Sequence, residues 1–197
     1  AAAYDCWILT DEIYTRLVFD GGDAPSIAAL PGMAARTIIM DGFSKTYAMT
    51  GWRLGYGIMP EALAERVQLL FTHALGSTAQ FTQIAGAAAL TGDQAAVAAM
   101  RAAYERRRDV LVSGLNNIPG VQCRKPQGAF YVFPNVKAFV RPVDDLANIL
   151  LEQAGVAVLP GTSFGAYGEG YLRLSFANSI ANLNAAVARM AEVLGRL

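Results

Sequence analysis

A short run rich in β-branched residues, residues 36–40 (RTIIM), leads into residues 42–55, a stretch of glycines, small residues and aromatics that holds Lys45 and Arg53. The run reads as a buried strand, which sets Lys45 just past the strand's C-terminal end. Open α/β sheets place their sites at such ends. Residues 6–9 (CWIL) form a second apolar run and deliver Asp11, Glu12 and Tyr14 into a loop in the same way, and residues 54–59 (LGYGIM) read as a third strand. Helical patterns follow, so the fold class is α/β. A lone lysine at a loop is most simply a surface residue, since lysines are seldom buried without a partner. At a closed strand end, however, burial disfavours an ammonium and leaves an amine that attacks carbonyls.

Residues 42–55 resemble, at every position, the pyridoxal-phosphate attachment signature of the class I and II aminotransferases, the fold-type I family. The resemblance implies that Lys45 joins the cofactor aldehyde through its ε-amine and that Arg53 grips the cofactor phosphate. A planar guanidinium suits the second role, because it offers phosphate oxygens a bidentate fork. In the same family an Asp-x-x-Tyr segment precedes the lysine, and here Asp11 and Tyr14 stand thirty-four and thirty-one positions ahead of Lys45. By resemblance Asp11 pairs with the pyridine nitrogen, keeping the ring protonated as an electron sink, and Tyr14 donates to the phenolic oxygen. Without the resemblance, Asp11 and Glu12 would simply begin a turn.

Arg173 lies inside residues 171–176 (YLRLSF), an alternating strand pattern with no acidic residue beside it. Either it faces outward as an ordinary strand position, or it is buried and needs an anion. Family members carry Arg-Leu-Ser or similar here, which implies that Arg173 holds the α-carboxylate of the substrate. The expected fold is therefore the C-terminal part of a PLP-dependent transferase: residues 1–110 complete a mostly parallel-sheet cofactor domain, and residues 111–197 form a small α/β domain. The chain opens directly into a strand and the resembling proteins are much longer, so a C-terminal portion that is inactive by itself is the expectation.

The resemblance further implies pyridoxal 5'-phosphate as cofactor, an amino acid and a 2-oxo acid as substrates, and a homodimer for the whole protein. Aspartate, alanine and aromatic amino acids all remain open as substrates. Two other functions share the signature: a lyase or synthase on the same scaffold, and a regulator with an aminotransferase-like effector domain. Tyr14 favours transamination, because the β-lyase branch tends to carry histidine there.

Sixteen basic and sixteen acidic residues leave no net charge, and no basic stripe points to nucleic acid or an anionic membrane. No apolar run reaches the length of a membrane span. Cys6 and Cys123 are far apart and in no metal-spaced pattern, so reduced thiols in a cytoplasmic protein, with no metal site, are expected. His73, the one histidine, falls in a helical pattern and reads as a packing or surface residue.

Pro60 opens a helix over residues 61–74 with Leu63, Val67, Leu70 and Phe71 as its apolar face. Further helices are predicted over residues 81–90, 93–115, 143–154 and from Asn178 or Ser179 onward, and further strands over 128–133 and 156–159. Arg101, Glu105, Arg106, Arg107 and Arg108 on the long helix read as a solvated face. The loop 76–80 lies, in the resembling family, near the dimer interface.

Overall fold

The computed structural model describes residues 1–197 as two compact units, Ala1–Ala99 and Met100–Leu197. In the first, β1 (Ile8–Asp11) pairs parallel with β2 (Thr37–Gly42), with Asp11 opposite Met40. A one-turn helix, α1 (Phe43–Thr46), follows β2 directly, and β3 (Gly55–Ile58) returns antiparallel, with Gly42 opposite Gly55. The three strands thus make a mixed sheet in the order β1-β2-β3. Pro60 and Glu61 start α2 (Glu61–Ala74), where an acid in the first turn complements the helix dipole. Then come α3 (Gln80–Thr91) and α4 (Ala95–Asn116).

The expected apolar face of α2 is only partly covered by this chain, with Leu63 and Val67 half-buried. None of its residues is buried, and Leu70 and Phe71 are 61% and 49% exposed. Phe71, with Leu63 and Val67 of the same helix, borders an open groove of about 1350 Å³ that Ile38, Met40 and Phe81 also line. The core of the first unit lies instead around Leu17, Phe19, Phe43 and Met49. Gly86 is buried there because a side chain would run into Leu54 and come within 3.1 Å of the Phe43 ring.

The division between units falls inside α4, earlier than the boundary expected at residue 110. The physical reason is the buried stripe Arg108, Leu111, Val112 and Leu115, which commits the second half of α4 to the C-terminal unit. Leu111 packs beside Leu174 and Leu183, and a side chain on Gly114 would press on Val187 at 3.0 Å. The charge run is therefore not a uniformly solvated face: Arg101 and Arg106 are exposed, whereas Arg108 is fully buried.

In the second unit β4 (Tyr131–Val132) and β5 (Leu159–Pro160) both pair antiparallel with β6 (Leu172–Ser175), giving the order β4-β6-β5. β4 is shorter than the predicted 128–133, since Ala129 at φ 59° bends the chain out of extended geometry. β5 likewise covers only the end of the predicted run, because Val156 donates its N–H to Leu150 O at 3.1 Å rather than to a strand. α5 (Val143–Ala154) begins with Asp144 and Asp145 and ends at left-handed Gly155. α6 (Ile180–Leu194) is capped by Ser179, whose hydroxyl accepts from the Asn182 N–H at 3.1 Å. Leu183, Met190, Val193 and Leu194 bury its inner face. No helix is long and apolar enough to cross a membrane.

Candidate active site

Within the first unit three segments converge on the C-terminal end of β2. The parallel register puts Asp11 at the end of β1, beside the end of β2, and the ladder continues as Glu12 donates its N–H to Met40 O at 2.8 Å. The turn 13–16 then carries Tyr14. From the other side, Leu54 O accepts from the Phe43 N–H at 3.2 Å, which holds the 49–54 loop against the start of α1. Gly42 marks the meeting point: a Cβ there would lie 3.0 Å from Leu54 O and 3.3 Å from Ile13 Cδ1. A side chain there would press on the Leu54–Gly55 backbone and push the Ile13 side chain aside.

Lys45 sits in the single turn of α1, half-buried, between Phe43 and Thr46, which are buried and fix the turn. Tyr14 is half-buried. Asp11 is exposed in this chain, and its Oδ1 accepts from the Ile13 N–H at 3.1 Å. Arg53 is also exposed, with Nη1 donating to Thr50 O at 3.0 Å. Its backbone is left-handed, φ 52°, as is that of Ala48 in the same loop. Such conformations cost a non-glycine residue about 1–2 kcal/mol and are held only by their surroundings. Asp11, Tyr14, Lys45 and Arg53 thus belong to one unit, while Arg173 lies on β6 of the other.

Beneath Lys45, Tyr56 donates to Asp41 Oδ2 at 2.8 Å across the β2–β3 pair, while Asp41 Oδ1 accepts from the Gly42 N–H at 2.6 Å. Burial, reinforced by the Asp41 carboxylate, pushes the Tyr56 phenol up to about 12. The Phe43 ring meets Tyr56 edge-on at 5.6 Å and Tyr47 at 5.6 Å. Sequence reasoning missed this pair. Its signal was present, because Asp41 and Tyr56 flank the two strand patterns at positions that an antiparallel return places opposite each other.

The model of the family described as aminotransferase class I and II matches residues 1–190. This chain belongs to that family. An aspartate aminotransferase of Streptomyces avermitilis is 43% identical over 204 residues, covering 98% of this chain and 50% of the relative. An aromatic-amino-acid aminotransferase of Thermococcus litoralis is 42% identical over 196 residues with the same shares. Among solved structures, an aromatic aminotransferase of Pyrococcus horikoshii superposes with TM-score 0.95 at 39% identity, over 99% of this chain and 52% of that one. The aspartate aminotransferase of Rhizobium meliloti gives TM-score 0.94 at 37% identity, over 100% and 51%. The chain spans about half the length of the curated relatives it matches. Family members are generally pyridoxal-phosphate enzymes, and membership places the small sheets of this chain in a known transferase fold.

In the second unit of this family member, Arg173 is half-buried on β6 between buried Leu172 and Leu174. Neither an ion pair nor a side-chain hydrogen bond reaches its guanidinium, which instead lies over the rings of Tyr131 at 4.6 Å and Phe164 at 4.2 Å. Arg108 has the opposite surroundings. Its Nε donates to Asp109 Oδ1 at 2.9 Å and its Nη1 to Pro126 O at 3.0 Å, with Glu105 Oε1 3.6 Å from Nη2. Both differences escaped the sequence reading of charge alone.

Proposed function

We propose that the whole protein transfers an amino group between an L-amino acid and a 2-oxo acid, using pyridoxal 5'-phosphate held on Lys45. The observation that carries this reading is the placement of Lys45 directly after β2, beside the end of parallel β1 that bears Asp11. The donor set fits the cofactor group by group: an amine for an aldehyde, a carboxylate for a ring nitrogen, a phenol for a phenolic oxygen, and a guanidinium for a phosphate. When bound, the cofactor supplies an electron sink that lets the substrate Cα give up its proton.

The chain's own residues then divide the work. Asp11 holds a proton on the ring nitrogen by placing a negative charge against it. Tyr14 orients the ring through its hydroxyl, and Arg53 anchors the phosphate by its planar fork. Arg173 receives the α-carboxylate common to all substrates. Lys45 would join the cofactor aldehyde through its ε-amine, and that amine, when free, would serve as the base that takes up the proton of the substrate Cα. A positioned base of this kind is worth about 10²–10⁴ in rate. The exposed part of the α2 apolar face calls for cover from the rest of the whole protein or from a second copy, and the homodimer stays part of the proposal. The free thiols of Cys6 and Cys123 are in keeping with a reducing cytoplasm.

The test is a panel of amino acids, aspartate and aromatic ones included, offered to the whole protein with 2-oxoglutarate. Transfer should yield one 2-oxo acid per amino acid consumed, without free ammonia, and Lys45→Ala should abolish it. Stoichiometric ammonia release would mark a lyase instead.

A further inference from the structure

We propose that Tyr131 and Phe164 are positioning residues that clamp the Arg173 guanidinium by contact with two rings, leaving its nitrogen-bearing edge to receive a substrate carboxylate. This rests on the reading of Arg173 as the carboxylate site and assigns how that arginine is made ready.

The clamp is built from the ladder upward. Tyr131 pairs with Ser175 on β6, so its side chain shares a face with Arg173 two residues along, within diagonal reach of a long side chain. Leu159 of β5 pairs with Arg173 itself, and the chain then turns through the short 3-10 segment Gly161–Phe164. That turn brings Phe164 against the guanidinium although it is nine positions from Arg173 in sequence.

Phe164 is 51% exposed, and an exposed ring gains little from leaving its side chain in one place. Its backbone is nevertheless fixed from three sides. Thr162 Oγ1 donates to Asp144 Oδ2 at 2.9 Å, tying the turn to the first turn of α5. Gly161 and Gly168 approach so closely that a Cβ on either would run into the carbonyl of the other. Gly165, at φ 118°, supplies a conformation closed to other residues directly after Phe164. The Phe133 ring also meets Phe164 edge-on at 6.3 Å.

The guanidinium itself has no carboxylate or carbonyl to hold it, and none of its nitrogens is sealed from solvent. Two rings against the guanidinium restrain its rotation through cation–π attraction, so its intrinsically planar fork of N–H groups is held in fewer orientations. Such a group binds a carboxylate bidentately with less ordering to be done at the moment of binding.

The test measures dissociation constants of two amine-free carboxylates, propionate and 3-phenylpropionate, for the cofactor-loaded whole protein. Loss of one ring contact should weaken both probes equally in Phe164→Ala, by about two- to fivefold. Phe164→Leu, which keeps apolar volume but no ring face, should behave like Phe164→Ala, and Phe164→Tyr like the parent. On an Arg173→Lys background, which lacks the planar fork, removing the ring should change nothing further. Weakening of 3-phenylpropionate alone would make Phe164 a side-chain pocket and overturn the clamp. An equal loss on the Arg173→Lys background would overturn it as well, by showing that the ring acts through the fold. If Arg173→Leu, which removes the cation, bound both probes like the parent, the carboxylate role of Arg173 itself would fall, a result distinct from failure of the clamp alone.

Discussion

Arg108→Met removes the one fully buried charge of the C-terminal unit while keeping most of the apolar stem. The hydrogen bonds to Asp109 at 2.9 Å and to the Pro126 carbonyl at 3.0 Å disappear. Bonds involving a charged partner contribute about 1.5–3 kcal/mol each. Two effects offset the loss. The Asp109 and Glu105 side chains are 49% and 34% exposed and regain water, and Lys125 Nζ, 3.1 Å from Asp109, still neutralises that carboxylate. The net destabilisation should be about 2–4 kcal/mol. Urea unfolding of parent and variant, read at equal slope, measures it as a shift in midpoint. Arg108→Lys should fall between them, since a point charge cannot serve both acceptors in one plane. A loss under about 1 kcal/mol, the range of an exposed ion pair, would refute the claim that this guanidinium holds the 124–128 loop to α4.

Tyr56 should ionise near 12, followed by phenolate absorbance as the signal lost in Tyr56→Phe. Because the folded protein keeps that proton above the unfolded value of about 10, the contribution to stability is complete below pH 10 and is lost as pH rises toward 12. Asp41→Asn should lower the ionisation yet leave it above that of free tyrosine, since burial is the larger cause; an unchanged titration would remove Asp41 from the explanation. Cys123, whose thiol burial pushes up to about 11, should resist alkylation at pH 8 while exposed Cys6 reacts; equal rates would contradict its burial. Gly161→Ala should cost about 1–3 kcal/mol from backbone crowding against Gly168 and should also weaken propionate binding by displacing Phe164. Stability loss with unchanged propionate affinity would separate that turn from the clamp.

Much of the secondary structure was legible because its signals are local. Pro60 and Pro142 ahead of α2 and α5, Gly155 after α5 and Ser179 before α6 mark ends that the backbone obeys in any surroundings. The strands β4 and β5 were less so, since a two-residue ladder exists only where β6 runs alongside. Arg108 was misread by its charge, although it keeps helical phase with Leu111, Val112 and Leu115, the spacing of a buried stripe. The position of Lys45 followed from a strand run and a glycine lying next to it in sequence. The ring contacts of Arg173 did not, because Tyr131 and Phe164 reach it through strand pairing and a turn held by Asp144 and Gly168. The apolar pattern of α2 was legible as one face of the helix, but this chain's own contacts bury none of it fully.

Covalent attachment of the cofactor at Lys45 underlies every role assigned to the first unit, and the chain provides its own controls, since Lys125 and Lys137 are its only other lysines. Borohydride reduction of the cofactor-loaded whole protein, followed by peptide mapping, reads the attachment point directly. A pyridoxyl group should be found on the peptide containing Lys45 and vanish in Lys45→Ala. A pyridoxyl group on Lys125, on Lys137, on a lysine elsewhere in the whole protein, or on none would contradict it.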